Sequence, residues 1–317
     1  MGRTRIAVIG AGYMGSFHAA KFAASAEAEL VGVVDTDRAR ADALAQKLGC
    51  AAETDYRSLL PRLDAACIAV PTEQHHAVAR ACLEAGLHVL VEKPLARSLA
   101  EADALLALAR AKGRVLQVGH LQRFNPAFQA LAAHGGPPLF IDIERLAPFK
   151  ARGTDVDVVL DLMIHDLDLV LALARAPVEQ LSASGFCVLT DAIDIANARI
   201  EFADGCIASV SASRVSQAPV RKLRVFRHDS YVSADLQGQK LRTVRKSAGA
   251  ANGGIEETEQ AFERSDELQA QAGDFLRAVR GRAAPLVTGE QGRQVLELAL
   301  RIGDLVKERL QKHASAR

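Results

Sequence analysis

The turn Gly10-Ala11-Gly12-Tyr13-Met14-Gly15 lies between the apolar run Arg5-Ile6-Ala7-Val8-Ile9 and a helical stretch that begins at Ser16. A Gly-x-Gly-x-x-Gly string alone recurs in many loops. Between a strand and a helix it permits few folds, because the chain must turn sharply, approach a pyrophosphate with its backbone and place that group at a helix N-terminus. Asp35 ends the next apolar run, twenty residues after Gly15. A carboxylate there accepts hydrogen bonds from the adenosine ribose hydroxyls and repels a 2′-phosphate, so NAD is expected over NADP. Arg38 and Arg40 follow closely; a nearby arginine can hold a 2′-phosphate, so they count against NAD unless they are solvated helix surface, while Asp35 counts for it.

The rhythm of the N-terminal part agrees with this turn. Strands fit near 5–9, 30–35, 65–70, 87–91 and 115–119, with helices near 14–26, 37–48, 73–85 and 98–112 between them. Short Val/Ile/Ala runs alternating with longer Ala/Leu-rich helices predict a doubly wound parallel sheet covered on both faces, a Rossmann domain. Past Pro137-Pro138 the pattern changes to alternating segments at 139–146, 178–188, 195–203, 206–215 and 222–236, one helix at 157–174 and two closing helices near 264–280 and 289–311. These predict an α+β domain with a largely antiparallel sheet. The expected boundary is 1–121 for the NAD-binding domain and 122–317 for a substrate-binding and oligomerisation domain, with the last helices able to pack back on the first. The glycine-rich run 246–256 is expected to be a mobile loop.

Composition narrows the functions. Lys and Arg number 39 against 38 Asp and Glu, and Trp is absent. The chain therefore has neither the positive field nor the stacking surfaces of a nucleic-acid binder. Its apolar runs are too short to span a membrane. Five scattered cysteines form no Cys-x-x-Cys pair, so no metal site is expected, and reduced thiols with no leader sequence suit the cytoplasm.

Lys93 closes Val89-Leu90-Val91-Glu92-Lys93-Pro94, at the end of a strand downstream of the glycine turn. Doubly wound sheets bind ligands at strand C-termini, which makes this lysine a candidate catalytic group. On the helix at 157–174, a regular 100° per residue brings Asp157, Asp161, His165 and Asp168 into one arc. The element is otherwise apolar, so this arc is expected to face a wet cavity. Oxidising an alcohol requires a proton acceptor as hydride leaves carbon. His165 suits that role, Lys93 would stabilise the developing alkoxide, and Asp161 would orient the imidazole or grip a neighbouring hydroxyl. The reverse division, with neutral Lys93 as the base, uses the same residues. His120 follows a strand end and Arg123 offers a phosphate partner, making both substrate candidates. The basic group Arg214, Arg221, Lys222, Arg224 and Arg227 reads as the solvated face of a strand or as a diphosphate patch.

Three motifs in order, Pro71-Thr72-Glu73-Gln74-His75, Ala85 to Pro94, and Asp161-Leu162-Met163-Ile164-His165-Asp166-Leu167-Asp168, resemble the Gfo/Idh/MocA family of glucose-fructose oxidoreductases and inositol dehydrogenases. The resemblance spans nearly the whole chain. It implies an NAD-dependent sugar dehydrogenase, with Gly10, Gly12, Tyr13, Met14, Gly15, Asp35, Arg38, Pro71, Thr72, His75, Glu92 and Lys93 at the cofactor. Lys93, His120, Arg123, Asn125, Asp161 and His165 are implied at the substrate. It also implies a homodimer or homotetramer. The stretch Gly119-His120-Leu121-Gln122-Arg123-Phe124-Asn125-Pro126 is most similar to members that oxidise the 3-hydroxyl of UDP-N-acetylglucosamine, although Gln122 stands where those members carry glutamate. A free sugar or a cyclitol is the alternative substrate within the family. A non-catalytic NAD-binding sensor is the alternative outside enzymes.

Overall fold

The computed structural model describes residues 2–150, 156–247 and 254–315. The chain divides into two compact units, Met1–Leu121 with Asp266–Leu296, and Gln122–Ser265 with Glu297–Arg317.

The first unit is built on β1 (Thr4–Ile9), α1 (Tyr13–Ala24), β2 (Ala28–Val34), α2 (Arg38–Leu48), β3 (Ala51–Glu53), β4 (Ala65–Ile68), α3 (Thr72–Glu84), β5 (His88–Val91), α4 (Leu99–Lys112) and β6 (Leu116–Val118). All strand pairs are parallel, in the order β3-β2-β1-β4-β5-β6. The strand order reverses between β1 and β4, and at such a switch point the loops after two neighbouring strands diverge and open a crevice at their C-terminal ends. The strands are short and almost wholly apolar because helices bury both faces: Ile6, Val8, Val33 and Cys67 are inaccessible and pack with Ala19, Phe22 and Phe275. Local signals set the helix ends. Asp37 caps α2 by accepting from the Arg40 amide, Ser98 caps α4 by accepting from the Glu101 amide, and both helices stop at glycines with positive φ, Gly49 and Gly113. The three-residue β3 was not expected from the sequence, since Ala51-Ala52-Glu53 is too short to show a period.

The second unit holds α5 (Pro126–Ala133), β7 (Phe140–Leu146), α6 (Ile164–Ala174), β8 (Val178–Phe186), β9 (Ile195–Phe202), β10 (Ile207–Ser213), β11 (Val220–Phe226), β12 (Ser230–Asp235), β13 (Lys240–Lys246) and β14 (Ile255–Ala261). Its eight strands run β14-β13-β12-β11-β7-β10-β9-β8, antiparallel except for the β7–β10 pair. The chain closes with α7 (Glu267–Val279), in the first unit, and α8 (Gly289–Ser315), whose residues to Leu296 group with the first unit and the rest with the second.

Three expectations for this part change. The segment 222–236 is two strands, β11 and β12, reversing through Arg227 to Asp229, because polar His228-Asp229 interrupts an otherwise continuous alternation. Of the loop expected at 246–256, residues 248–253 lie outside the described residues; Lys246, Ile255 and Glu256 belong to paired strands. Val159–Met163, just before α6, forms a π-helical turn. Its i→i+5 hydrogen bonding widens the turn, so the regular 100° step fails there and the expected acidic arc is not one stripe. Asp157 instead accepts from the Ile193 amide and pairs with Lys307 at 3.2 Å. Asp168 is buried, 3.9 Å from Arg123.

One buried ion pair anchors α6 to the sheet. Arg145 of β7 and Asp166 are 4 % and 1 % exposed and joined by three contacts of 2.7 to 3.0 Å. Burial raises the Asp166 pKa even though the guanidinium opposes that shift.

Candidate cofactor and active site

A cleft of about 630 Å³ opens in the first unit, lined by residues that follow five successive parallel strands. They include Gly10, Gly12 and Met14 after β1, Asp35 and Arg40 after β2, Tyr56 and Arg57 after β3, Pro71, Thr72 and His75 after β4, and Glu92 and Lys93 after β5. Strand C-termini at the reversal of strand order are where doubly wound sheets bind dinucleotides.

The glycine turn fits a pyrophosphate. A Cβ on Gly10, whose φ is +98°, would lie 2.4 Å from the Ala69 carbonyl oxygen, and one on Gly15 would lie 1.7 Å from that of Gly10. At Gly12 a Cβ would meet nothing within 4 Å, leaving open space at the cleft wall. No side chain caps the N-terminus of α1, so its first amides and the helix dipole point toward an anion site.

Asp35 is held as an acceptor. Its carboxylate takes the Ala11 and Asp37 amides, both at 2.9 Å, and sits 3.4 Å from Arg40. The bond to Ala11 ties the end of β2 to the glycine turn. Arg40 also pairs with Asp37 at 3.3 Å, and Arg57 pairs with Asp55 at 3.2 Å while stacking on Tyr56. Each guanidinium lining this end of the cleft is thus already matched by a carboxylate, an arrangement that suits ribose hydroxyls better than a 2′-phosphate. Replacing Asp35 with serine is expected to weaken NADH binding by about 10- to 100-fold, the worth of charge-assisted hydrogen bonds, and to narrow the lead over NADPH as Arg40 is released. Fluorescence titration of both nucleotides checks this; equal affinities in the unaltered protein would remove the role assigned to Asp35.

The other expected cofactor residues fall into two groups. Pro71, Thr72, Glu92 and Lys93 line the cleft with the glycines. Tyr13 is 64 % exposed and stacks edge-on against Phe17, and Arg38 pairs with Asp42 at 2.9 Å on the surface of α2; neither lines the cleft. Arg40 occupies the place expected for Arg38 because the cap at Asp37 sets the first turn of α2 so that residue 40 faces Asp35. His75 touches the cleft but acts as a strut: its ring nitrogens lie 2.7 Å from the Pro94 and 2.9 Å from the Val70 carbonyl oxygens. Burial lowers its pKa, and the two carbonyls only partly offset that. The Thr54 to Arg57 wall, which follows β3, was missed because its strand is so short; the sole signal was the turn-forming Thr54-Asp55 pair.

The remaining candidates are placed as follows. His120 and Arg123 are buried. Asn125 is fully buried and caps α5, accepting from the Ala127 and Phe128 amides and donating to the Leu236 carbonyl. Asp161 lies in the π turn and His165 begins the regular part of α6; both are half-buried. Asp168, one turn on, has a pKa raised to about 7 by burial, against the pull of Arg123. The basic group is dispersed. Arg224 pairs with Asp142 and Glu144, while Arg214 bonds the Val156 and Ile193 carbonyls beside Asp194.

A parallel sheet with this switch-point cleft, glycine turn and carboxylate at the end of the second strand defines a dinucleotide-binding domain. Comparison with known proteins makes the assignment specific. The model of the oxidoreductase family with an NAD-binding Rossmann fold matches residues 4–120, and that of the GFO/IDH/MocA C-terminal domain matches residues 140–229. The chain belongs to the Gfo/Idh/MocA family, and it is an NAD-dependent enzyme. It is 40 % identical over 311 residues to a UDP-N-acetylglucosamine 3-dehydrogenase of Acidithiobacillus ferrooxidans, covering 97 % of this chain and 99 % of that protein. A solved structure of that dehydrogenase superposes with a TM-score of 0.91 at 38 % identity, over 97 % of this chain and 99 % of the other. An NAD(+)-dependent scyllo-inositol 2-dehydrogenase of Bacillus subtilis is 29 % identical over 90 % of this chain and 89 % of its own length.

Proposed function

We propose that the enzyme oxidises a secondary hydroxyl of a sugar nucleotide, the 3-hydroxyl of UDP-N-acetylglucosamine, by hydride transfer. The observation that carries this reading is the end-to-end similarity to a UDP-N-acetylglucosamine 3-dehydrogenase, at 40 % identity and with both chains covered almost completely. The Gly119-to-Pro126 stretch supports it from within the sequence.

NAD supplies the hydride acceptor. The first unit holds it through the glycine turn, Asp35 and the residues after β4 and β5. His120, at the end of the first unit, and Arg123 and Asn125, at the start of the second, take part in holding the substrate. His165 removes the hydroxyl proton, Lys93 donates a hydrogen bond to the same oxygen, and Asp161 orients the imidazole or a sugar hydroxyl. The roles of Lys93 and His165 are separable by the pH test set out in the Discussion.

The enzyme is expected to act as a homodimer or homotetramer. Phe140, Phe226 and Tyr231 form a ring cluster across β7, β11 and β12 with centroids 4.9 to 5.8 Å apart, and Phe226 is 38 % exposed, so this part of the sheet offers apolar surface to a second copy. Five unpaired cysteines support a reducing cytoplasmic setting.

A panel of nucleotide sugars, free sugars and cyclitols, read by NADH fluorescence, tests the substrate. A ketone trap or coupled aminotransferase is needed to pull the equilibrium forward. UDP-N-acetylglucosamine should give the highest kcat/KM. A large preference for inositol or an unphosphorylated sugar would discard the sugar-nucleotide reading and keep the family. Absence of turnover on every class would discard the enzyme's assigned substrate range altogether.

A further inference from the structure

Two primary amides are buried in the core of the first unit. Gln117 of β6 and Gln271 of α7 are both inaccessible, and neither the oxygen nor the nitrogen of either side chain has a hydrogen-bond partner among the described residues. An unpaired amide in a protein core is a standing cost, which is why buried polar groups are nearly always met by protein or by ordered water.

The strand register places both amides in one layer. Cys67, Leu90 and Gln117 are successive partners across β4, β5 and β6, so their side chains leave the sheet on the same face. That face is covered by α1 and α7, for Cys67 and Leu90 share a buried cluster with Phe22 of α1 and with Ala272, Phe275 and Leu276 of α7. Leu116 and Val118 point the other way, onto α8, where a Cβ on Gly289 would stand 3.0 Å from Leu116 and one on Gly292 2.4 Å from Val118. On α7 a 100° step sets Gln271 between Asp274 and Phe275. Phe275 enters the core against Phe22, with ring centroids 6.5 Å apart. Asp274 accepts the Leu286 amide at 2.8 Å, and the next carbonyl, that of Val287, accepts the Val118 amide at 3.3 Å. This strap ties the Asp274 edge of α7 to β6, so Gln271 is buried over the layer that Gln117 enters.

One row further along the same face the sheet is polar as well. Glu92 follows Leu90 by two residues and Gly119 follows Gln117 by two; a Cβ on Gly119 would stand 3.0 Å from Cδ and Oε2 of Glu92. Oε1 of Glu92 lies 2.7 Å from Nε2 of His18, and Oε2 accepts the Lys93 amide at 3.2 Å. Glu92 lines the cofactor cleft.

We propose that Gln117 and Gln271 together bind ordered water in a closed polar site in the core of the first unit, one row beneath the Glu92 carboxylate. Each amide offers two N–H donors and a carbonyl acceptor, so the ligand must donate and accept at once, be neutral and fit a site sealed from solvent. Water meets all three requirements.

The test has two arms, both on the full-length enzyme. A high-resolution crystal structure should show water within about 3.2 Å of amide atoms of both Gln117 and Gln271; a dry site, or amides bonded to each other, overturns the proposal. The second arm is thermal unfolding of Gln117→Leu, Gln271→Leu and the double variant. Each single variant strands the water and the opposite amide, and is expected to lower Tm by about 2–8 °C. The double variant removes both polar groups along with the water and should melt above either single variant, a coupling that independent sites do not show. If the amides are dry and unpaired, each single change removes a standing cost and Tm rises; if each holds its own water, the two losses add. Either result overturns the shared site. Should a variant fail to fold, the crystal structure of the unaltered enzyme decides alone.

Discussion

Replacing His165 with alanine, or Lys93 with methionine, is expected to lower kcat by about 100-fold or more, the scale of losing a general base or an oxyanion-stabilising donor. The dissociation constant for NADH should change little in His165→Ala and far less than kcat in Lys93→Met, which lines the cofactor cleft but leaves the glycine turn and Asp35 intact. Asp161→Asn should cost less, since an orienting group is only partly lost when its charge is removed. The pH profile divides the roles. General-base catalysis makes the rate rise with pH through one ionisation, and if the imidazole is the base, that limb disappears in His165→Ala. A limb that survives there and disappears in Lys93→Met assigns the base to the lysine. Near wild-type turnover in both variants would place the chemistry on other residues.

The second large effect concerns stability. Removing Arg145 leaves Asp166, 1 % exposed, without the guanidinium that meets both its oxygens. Arg145→Met should therefore destabilise the second unit by about 3–5 kcal/mol, the cost of stranding one partner of a buried ion pair. Its pH dependence has a definite sign. The Asp166 pKa is already raised in the folded protein, and loss of Arg145 raises it further. A raised carboxyl pKa favours folding in acid and loses that benefit as pH climbs through the folded value, so the deficit of Arg145→Met should be smallest in acid and grow toward neutral pH. Replacing both residues, Arg145→Met with Asp166→Leu, should recover most of the loss, as apolar pairs of similar volume often do. Urea unfolding of the unaltered protein and the two variants measures this. A single variant as stable as the unaltered protein would show that the pair contributes little.

Much of this protein is legible along the chain because the relevant physics is local. Strand β1, the glycines after it and the helix they open lie within a few turns of chain. Their apolar period, their freedom at positive φ and the uncapped helix start are properties of neighbours in sequence, as is the acid that ends β2. The succession of short apolar strands and Ala/Leu-rich helices implied a parallel sheet for the same reason, and the alternation after Pro138 implied the antiparallel one. Where the period is too short or interrupted, as at Ala51-Ala52-Glu53 or His228-Asp229, local pattern carries no such information.

Which side chain meets which partner was decided by tertiary structure. Arg38 and Arg40 look alike as sequence, and only the capped first turn of α2 turns Arg40 to Asp35 and Arg38 to Asp42. His75 lines the cleft, and that its ring is also bonded to the Pro94 carbonyl, nineteen residues away, is not legible along the chain. His18 carries no sequence signal at all: its partner Glu92 is 74 positions distant, brought to it by the adjacency of α1 and the end of β5 and given room by Gly119. The π turn likewise breaks the regular step between Asp161 and α6, so the arc that a regular helix implies is not one stripe. Periodicity specifies which face of an element is buried; the identity of the group waiting on that face depends on the packing of segments far apart in sequence, and a single chain read in order does not contain those distances.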